Sequence, residues 1–155
     1  MHLNLGNLSI TIRSGALIPV LIMLPNVAWM MLPKAETRQQ VPEPLLLTIL
    51  ENTGRFATLI LPFFFSLDLH KKFSLPVVIG MGLALAIYYA CWIRYFVGGR
   101  SVALLGASFL GIPVPMAVAP IALLILSSYL MSSWWMFGAS ILFGVAHIWI
   151  SALTL

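Results

Sequence analysis

The sequence predicts an all-α, polytopic transmembrane helical bundle of about five spans plus one short interfacial or re-entrant half-helix. Three observations predict it. Hydrophobic residues make up 61% of the 155 and charged residues 8%, where soluble domains carry about a quarter charged residues. After Arg100 no Asp, Glu, Lys or Arg occurs, and water does not solvate so long an uncharged stretch as a globular domain. The apolar runs approach the roughly 17–25 residues that a spanning helix needs, and polar or Gly/Pro-containing segments separate them. Disorder is excluded by the same composition. A single cysteine excludes a disulfide framework and a cysteine-rich metal site.

The first span is expected from Ser14 to Leu32. It ends in Trp29-Met30-Met31-Leu32-Pro33, bulky where a signal peptidase needs small residues, so it reads as a retained helix. Pro19 and Pro25 predict kinks whose freed carbonyls need partners, and Asn26 is one candidate. A polar connector over 33–44 leads to the second span, Leu45 to Phe65, which carries Glu51, Asn52 and Arg55. The basic turn from Leu67 to Ser74 precedes the third span, Leu75 to Phe96, which Gly98-Gly99-Arg100 breaks. The uncharged stretch 101–130 divides at Gly111-Ile112-Pro113-Val114-Pro115. Ser101 to Gly111 then forms the half-helix and Met116 to Leu130 the fourth span. The fifth runs from Trp134 to Leu155, and the whole of 1–155 reads as one transmembrane domain. An N-terminus outside puts Lys34, Arg38, Arg94 and Arg100 in the cytoplasm, against Arg13, Lys71 and Lys72 on the other side.

Ionisable residues within a span cost at least about 2.5–3.5 kcal/mol near its centre and are functional by default. Glu51 and Arg55 stand at i,i+4 in the favourable order. With Thr48, Asn52 and Thr58 they occupy about a third of the helix circumference at 100° per residue, a stripe expected to face protein or a cavity. Two readings stand for it: an ion pair that orients the second helix, and a substrate, proton or ion site. On the fifth span Ser140, Gly144, His147 and Ser151 recur on one narrow face. Ser140-x-x-x-Gly144 allows close helix approach and is a candidate oligomer contact. His147 reads either as a packing residue or as a proton shuttle opposite Glu51.

On the third span Tyr88, Trp92 and Tyr95 align near Arg94. They read as an interfacial anchor or as an aromatic wall for a flat or cationic ligand. Asp68 with His70 is too sparse for a metal site, and Cys91 reads as a small hydrophobe. No phosphate loop, dinucleotide fingerprint, zinc-protease motif or nucleophile elbow occurs, so neither cofactor nor metal is expected. The scattered basic residues do not form a phosphate-tracking stripe, so no nucleic acid is expected either.

Glu51-Asn52-Thr53-Gly54-Arg55, Trp92-Ile93-Arg94-Tyr95-Phe96 with Gly99-Arg100, Ile112-Pro113-Val114-Pro115-Met116 and His147 together resemble a pattern in small uncharacterised bacterial membrane proteins. The resemblance covers most of the chain from Pro25 onwards. It carries no activity and implies the bacterial cytoplasmic (inner) membrane.

Two main functional classes follow. In the first, the chain binds or transports a small solute, ion or lipid in a polar cavity lined by Asn26, Thr48, Asn52 and Arg55. Five helices make a thin wall, so transport implies a homo-oligomer, with membrane lipids as the other partners. In the second, it is a small intramembrane enzyme acting on a lipid or isoprenoid. Glu51, with His147, would then be the acid or base; Arg55, Arg94 or Arg100 would hold an anionic head group, and Tyr88, Trp92 and Tyr95 would face a developing cation. A structural or accessory subunit is a third class.

Overall fold

Helices make up most of the computed structural model, which describes residues 2–5, 8–11, 14–32 and 44–154. The connector expected over 33–44 lies, up to Glu43, outside the described residues, as do Arg13, Lys34 and Arg38 of the orientation argument. Before Ser14, where the sequence suggested no element, the strands β1 (His2–Leu5) and β2 (Leu8–Thr11) pair antiparallel, with Leu3 opposite Ile10 and Leu5 opposite Leu8.

Five long helices follow: α1 (Leu17–Met31), α2 (Leu45–Ile60), α3 (Ser74–Val97), α5 (Pro115–Leu130) and α6 (Trp134–Thr154), with a single turn, α4 (Ala103–Gly106), between α3 and α5. Three are long and apolar enough to cross a membrane: α1 with the 3-10 turn Ser14–Ala16 before it, α3, and α6 as far as Leu153. The chain is therefore a helical membrane protein. Helices α2 and α5 have 16 residues each, about 24 Å at 1.5 Å per residue. Pro62 ends α2 early by withholding an N–H, and a 3-10 turn, Leu61–Phe64, completes the expected second segment.

The half-helix is corrected. Only Ala103–Gly106 of the expected Ser101–Gly111 is helical. The backbone then leaves the helix, Phe109 and Ile112 bridge each other, and Leu110, Gly111 and Val114 take positive φ. The reason is Arg94. Its guanidinium donates to the carbonyls of Ala107 (2.8 Å), Ser108 (3.1 Å) and Leu104 (3.4 Å) and lies 5.2 Å from the Phe109 ring centre. A charged side chain on α3 thus satisfies carbonyls that a longer helix would have satisfied internally. Helix α5 then starts at Pro115, where the missing N–H has no role.

Each helix reverses the one before it. At one end the Gly15 N–H donates to the Phe65 carbonyl (3.2 Å), Leu67 N–H to Ser14 Oγ (2.8 Å) and Asp68 N–H to the Leu130 carbonyl (3.0 Å). These bonds gather the start of α1, the segments after α2 and before α3, and the end of α5. Helix α5 is central, packed between α3 and α6 and touched by α1, while α2 packs on α6 at the periphery. Its sequence fits that place: Ala117, Ala119, Ser127 and Ser128 are buried beside Ile121, Leu123 and Leu124, and small residues let helix backbones approach.

Pro19 lies in the first turn of α1, where a proline is tolerated, so the kink expected there is not needed; Pro25 lies inside the helix. Pro25 deprives the Leu21 carbonyl of its intrahelical donor, and Tyr89 Oη of α3 supplies one at 2.8 Å. One residue on, the Ile22 carbonyl accepts from Asn26 Nδ2 (2.8 Å) and Tyr88 Oη (3.1 Å), while Tyr88 Oη itself accepts from Asn26 (2.7 Å). Trp29 Nε1 donates to Tyr95 Oη at 3.1 Å. Proline chemistry in α1 and the tyrosines of α3 therefore form one seam.

Replacing Tyr89 with Phe should lower stability in detergent by about 1 kcal/mol, the scale of interhelical hydrogen bonds in membrane proteins. In a Pro25→Ala background the restored N–H serves Leu21, and the same replacement should cost clearly less. Thermal unfolding of the four variants checks this; equal losses in both backgrounds would contradict the seam.

Candidate functional site

Where α2 crosses α6, α2 has no room for a side chain at Gly54. A Cβ on Gly54 would come within 2.6–2.7 Å of the Phe143 backbone, and a Cβ on Gly144, on another side of α6, within 2.6 Å of Ile121 on α5. Glycine at these two places lets α6 sit tightly between α2 and α5. The Ser140-x-x-x-Gly144 face is therefore an internal packing face, with Ser140 fully buried and bonded to the Met136 carbonyl (2.7 Å). It is withdrawn as an oligomer contact.

One turn from Gly54 the same crossing brings three ionisable groups together. Glu51 is 7% exposed. Its Oε1 accepts from Arg55 (2.5 Å) and lies 2.7 Å from His147 Nδ1 of α6. An ionised carboxylate beside a guanidinium is an acceptor only, so Nδ1 carries the imidazole proton and Nε2 is left as the basic nitrogen. Phe143 stacks on the His147 ring at 4.8 Å, and Arg55 lies 5.8 Å from the same Phe143 ring centre. The Arg55 side chain is 43% exposed, so the cluster opens along the outer side of the α2/α6 pair. Residue 147 lies within about one turn of the midpoint of α6 (Trp134–Thr154), which sets the cluster near mid-depth of that helix.

The expected stripe on α2 is rotated. Its buried residues are Glu51, Gly54 and Thr58, a face centred roughly 90° from the one that Thr48, Asn52 and Arg55 would define at 100° per residue. Asn52 is exposed, which corrects the expectation that it faces the interior. Thr48 Oγ1 donates to the Pro44 carbonyl (3.3 Å), and Thr58 Oγ1 to the Arg55 carbonyl (3.0 Å). Ser151 is buried on α6 one turn beyond His147.

The other expected site residues lie elsewhere. Asn26 belongs to the α1/α3 seam, so it does not line a cavity with Glu51. Tyr88, Trp92 and Tyr95 are buried, with Trp92 stacked on Phe96 (5.4 Å) and edge-on to both tyrosines. They form interior packing, which corrects the interfacial anchor. Arg94 is held by backbone carbonyls, as described above. Arg100 borders a shallow cleft with Ala28, Leu32 and Phe96, distant in the fold from the α2/α6 crossing.

Sequence reasoning named Glu51, Arg55 and His147 and missed Gly54 and Phe143. The available signal for both was position: Gly54 stands one turn after Glu51 on a helix with no need of flexibility, and Phe143 one turn before His147. Among the described residues no group of three or more His, Cys, Asp or Glu is placed to hold a metal ion.

Replacing Gly54 with Ala should force α2 from α6 and destabilise by about 1–3 kcal/mol, the usual cost of overpacking. Gly82→Ala, where a Cβ meets nothing within 4 Å, should be neutral or gain up to about 1 kcal/mol from helix propensity. Unfolding curves of the two variants distinguish close approach from a general intolerance of alanine. Comparison with family models, curated proteins and solved structures finds no match to this chain.

Proposed function

We propose that the chain is a multi-pass protein of the bacterial cytoplasmic membrane that binds or transports a small solute or ion, with Glu51, Arg55 and His147 as its proton-exchanging centre. The observation that carries this reading is the 2.7 Å contact between His147 Nδ1 and a Glu51 oxygen that also accepts from Arg55. With His147 neutral the cluster sums to zero charge; a proton on Nε2 makes it +1. An imidazole has two ring nitrogens and can carry a proton on one or on both. A cluster that gains and loses one charge beside an apolar helix crossing is a physical basis for coupling proton binding to a shift of α2 against α6.

The bacterial membrane in this reading rests on the resemblance of the Glu51–Arg55, Trp92–Arg100 and Ile112–Met116 segments alone. The enzyme reading draws less support. Arg94, one of its three candidate head-group ligands, is held by the carbonyls of Leu104, Ala107 and Ser108, and the hydroxyls of Tyr88 and Tyr95 accept from Asn26 and Trp29 of α1.

The test is proton movement across vesicles. Purified protein in liposomes carrying an internal pH dye, under an imposed potassium diffusion potential, should acidify the lumen faster than protein-free vesicles. His147→Ala and Glu51→Gln with Arg55→Leu should each abolish the excess rate. The double variant should also recover stability lost in Glu51→Gln alone, because a lone Arg55 without its acceptor costs about 1–3 kcal/mol. A stable double variant with wild-type proton flux would reduce the cluster to an orienting device for α2.

A further inference from the structure

At the end of the bundle where α3 begins, α5 ends and α6 begins, a cleft of about 480 Å³ is lined by Lys71, Ser128, Tyr129, Ser132, Trp134 and Phe137. It is separate from the Glu51 cluster. Lys71 is fixed over it: Nζ donates to the Tyr129 carbonyl (2.5 Å) and stands 5.0 Å from the centre of the Tyr129 ring. Tyr129 Oη is in turn bonded to the Lys72 carbonyl, so the turn and the end of α5 hold each other. An ammonium has three N–H donors, and among the described residues only the Tyr129 carbonyl accepts from this one. No carboxylate lies within ion-pair distance of Lys71 among the described residues. The nearby Asp68 carboxylate instead accepts from the His70 N–H (2.9 Å).

A second source of positive potential faces the same cleft. Helix α6 starts at Trp134, on its rim. At this end the Ser133 N–H donates to the Ser128 carbonyl (3.1 Å) and the Met136 N–H to Ser133 Oγ (3.2 Å), so the N–H groups of Trp134 and Trp135, with the dipole of a 21-residue helix, are what favours an anion there. Three serines, Ser128, Ser132 and Ser133, line the cleft beside Lys71, and its other side is apolar, formed by Phe137 and by Trp134, which is 85% exposed, with Trp135 beside it 79% exposed. Exposed tryptophans at a helix end mark the headgroup level of a bilayer. A fixed ammonium and a helix N-terminus at that level, above an apolar wall, match one amphiphile: a phosphate headgroup with acyl chains attached.

The geometry points to an anionic phospholipid site in this cleft, with Lys71 and the start of α6 holding the phosphate and Phe137 and Trp134 lying against the upper acyl chain. The occupant is a membrane lipid and not free phosphate, because the apolar wall has no role for an inorganic anion. The site is independent of the proton-exchange reading, and neither outcome of its test bears on proton flux.

Native mass spectrometry of the full chain, released from detergent after titration with dioleoyl phosphatidylglycerol or dioleoyl phosphatidylcholine, tests it. The expected result is one retained phosphatidylglycerol at concentrations where phosphatidylcholine is not retained. Lys71→Gln should weaken that retention about fivefold, the effect of one basic residue at an anionic surface, and Lys71→Arg should restore it. Lys72→Gln, which removes the same charge from a side chain lying over Phe73, should change retention less than twofold. Equal retention of the two lipids, or equal losses in Lys71→Gln and Lys72→Gln, would overturn the site in favour of diffuse attraction. Displacement of the lipid by millimolar inorganic phosphate would overturn it in favour of a free-anion site. Should Lys71→Gln not fold, the headgroup comparison and the phosphate competition on the wild-type chain still decide.

Discussion

Inside an apolar bundle a polar group has no water to turn to, and the positions of these helices follow from where the freed carbonyls and the charged groups find protein partners. Pro25 releases a carbonyl of α1, and α3 must stand where Tyr89 reaches it. The carbonyls of the 104–108 segment are met by Arg94, and the connector therefore stays at the end of α3. Glu51 is satisfied from its own helix and from α6, which fixes α2 beside α6. Hydrophobic contact alone would leave these helices free to slide, since lipid chains are as apolar as leucine. The polar bonds select one arrangement among many of similar apolar area.

Close approach is the second constraint, and it acts through small residues on both sides of α6. Gly54 and Gly144 let two helices press against one, and the serines and alanines of α5 let a central helix be enclosed on several sides. The consequence for chemistry is local. A carboxylate, a guanidinium and an imidazole meet only because α2 and α6 touch at Gly54, with Phe143 covering one face of the imidazole.

The helices and their breaks were legible because apolar runs, prolines and glycines are properties of a stretch of chain. The end of α3 at Gly98 and the start of α5 at Pro115 fall where the residues suggested. Glu51, Arg55 and His147 were legible as candidates because charge in an apolar run is conspicuous. What the chain order could not convey was pairing. The stripe on α2 is rotated because Gly54, silent in a search for polar residues, decides which side meets α6. The half-helix shrank to one turn because Arg94, read as a headgroup ligand, reaches backbone carbonyls instead. The Tyr88–Trp92–Tyr95 row has the composition of an interfacial anchor and becomes interior only through Asn26, Trp29 and the carbonyls of α1. The hairpin before Ser14 went unread because attention to span-length runs passes over four-residue strands.

The two halves of the charged cluster are separated by 96 residues of chain. At the roughly 5–20 residues per second of protein synthesis, about 5–20 s pass between the making of Glu51 and the making of His147. Throughout that interval α2 exists without the helix on which it packs, and its carboxylate has only the guanidinium one turn away. The i,i+4 spacing of Glu51 and Arg55 thus serves the nascent chain before it serves the finished one: it keeps α2 electrically neutral while it waits for its partner.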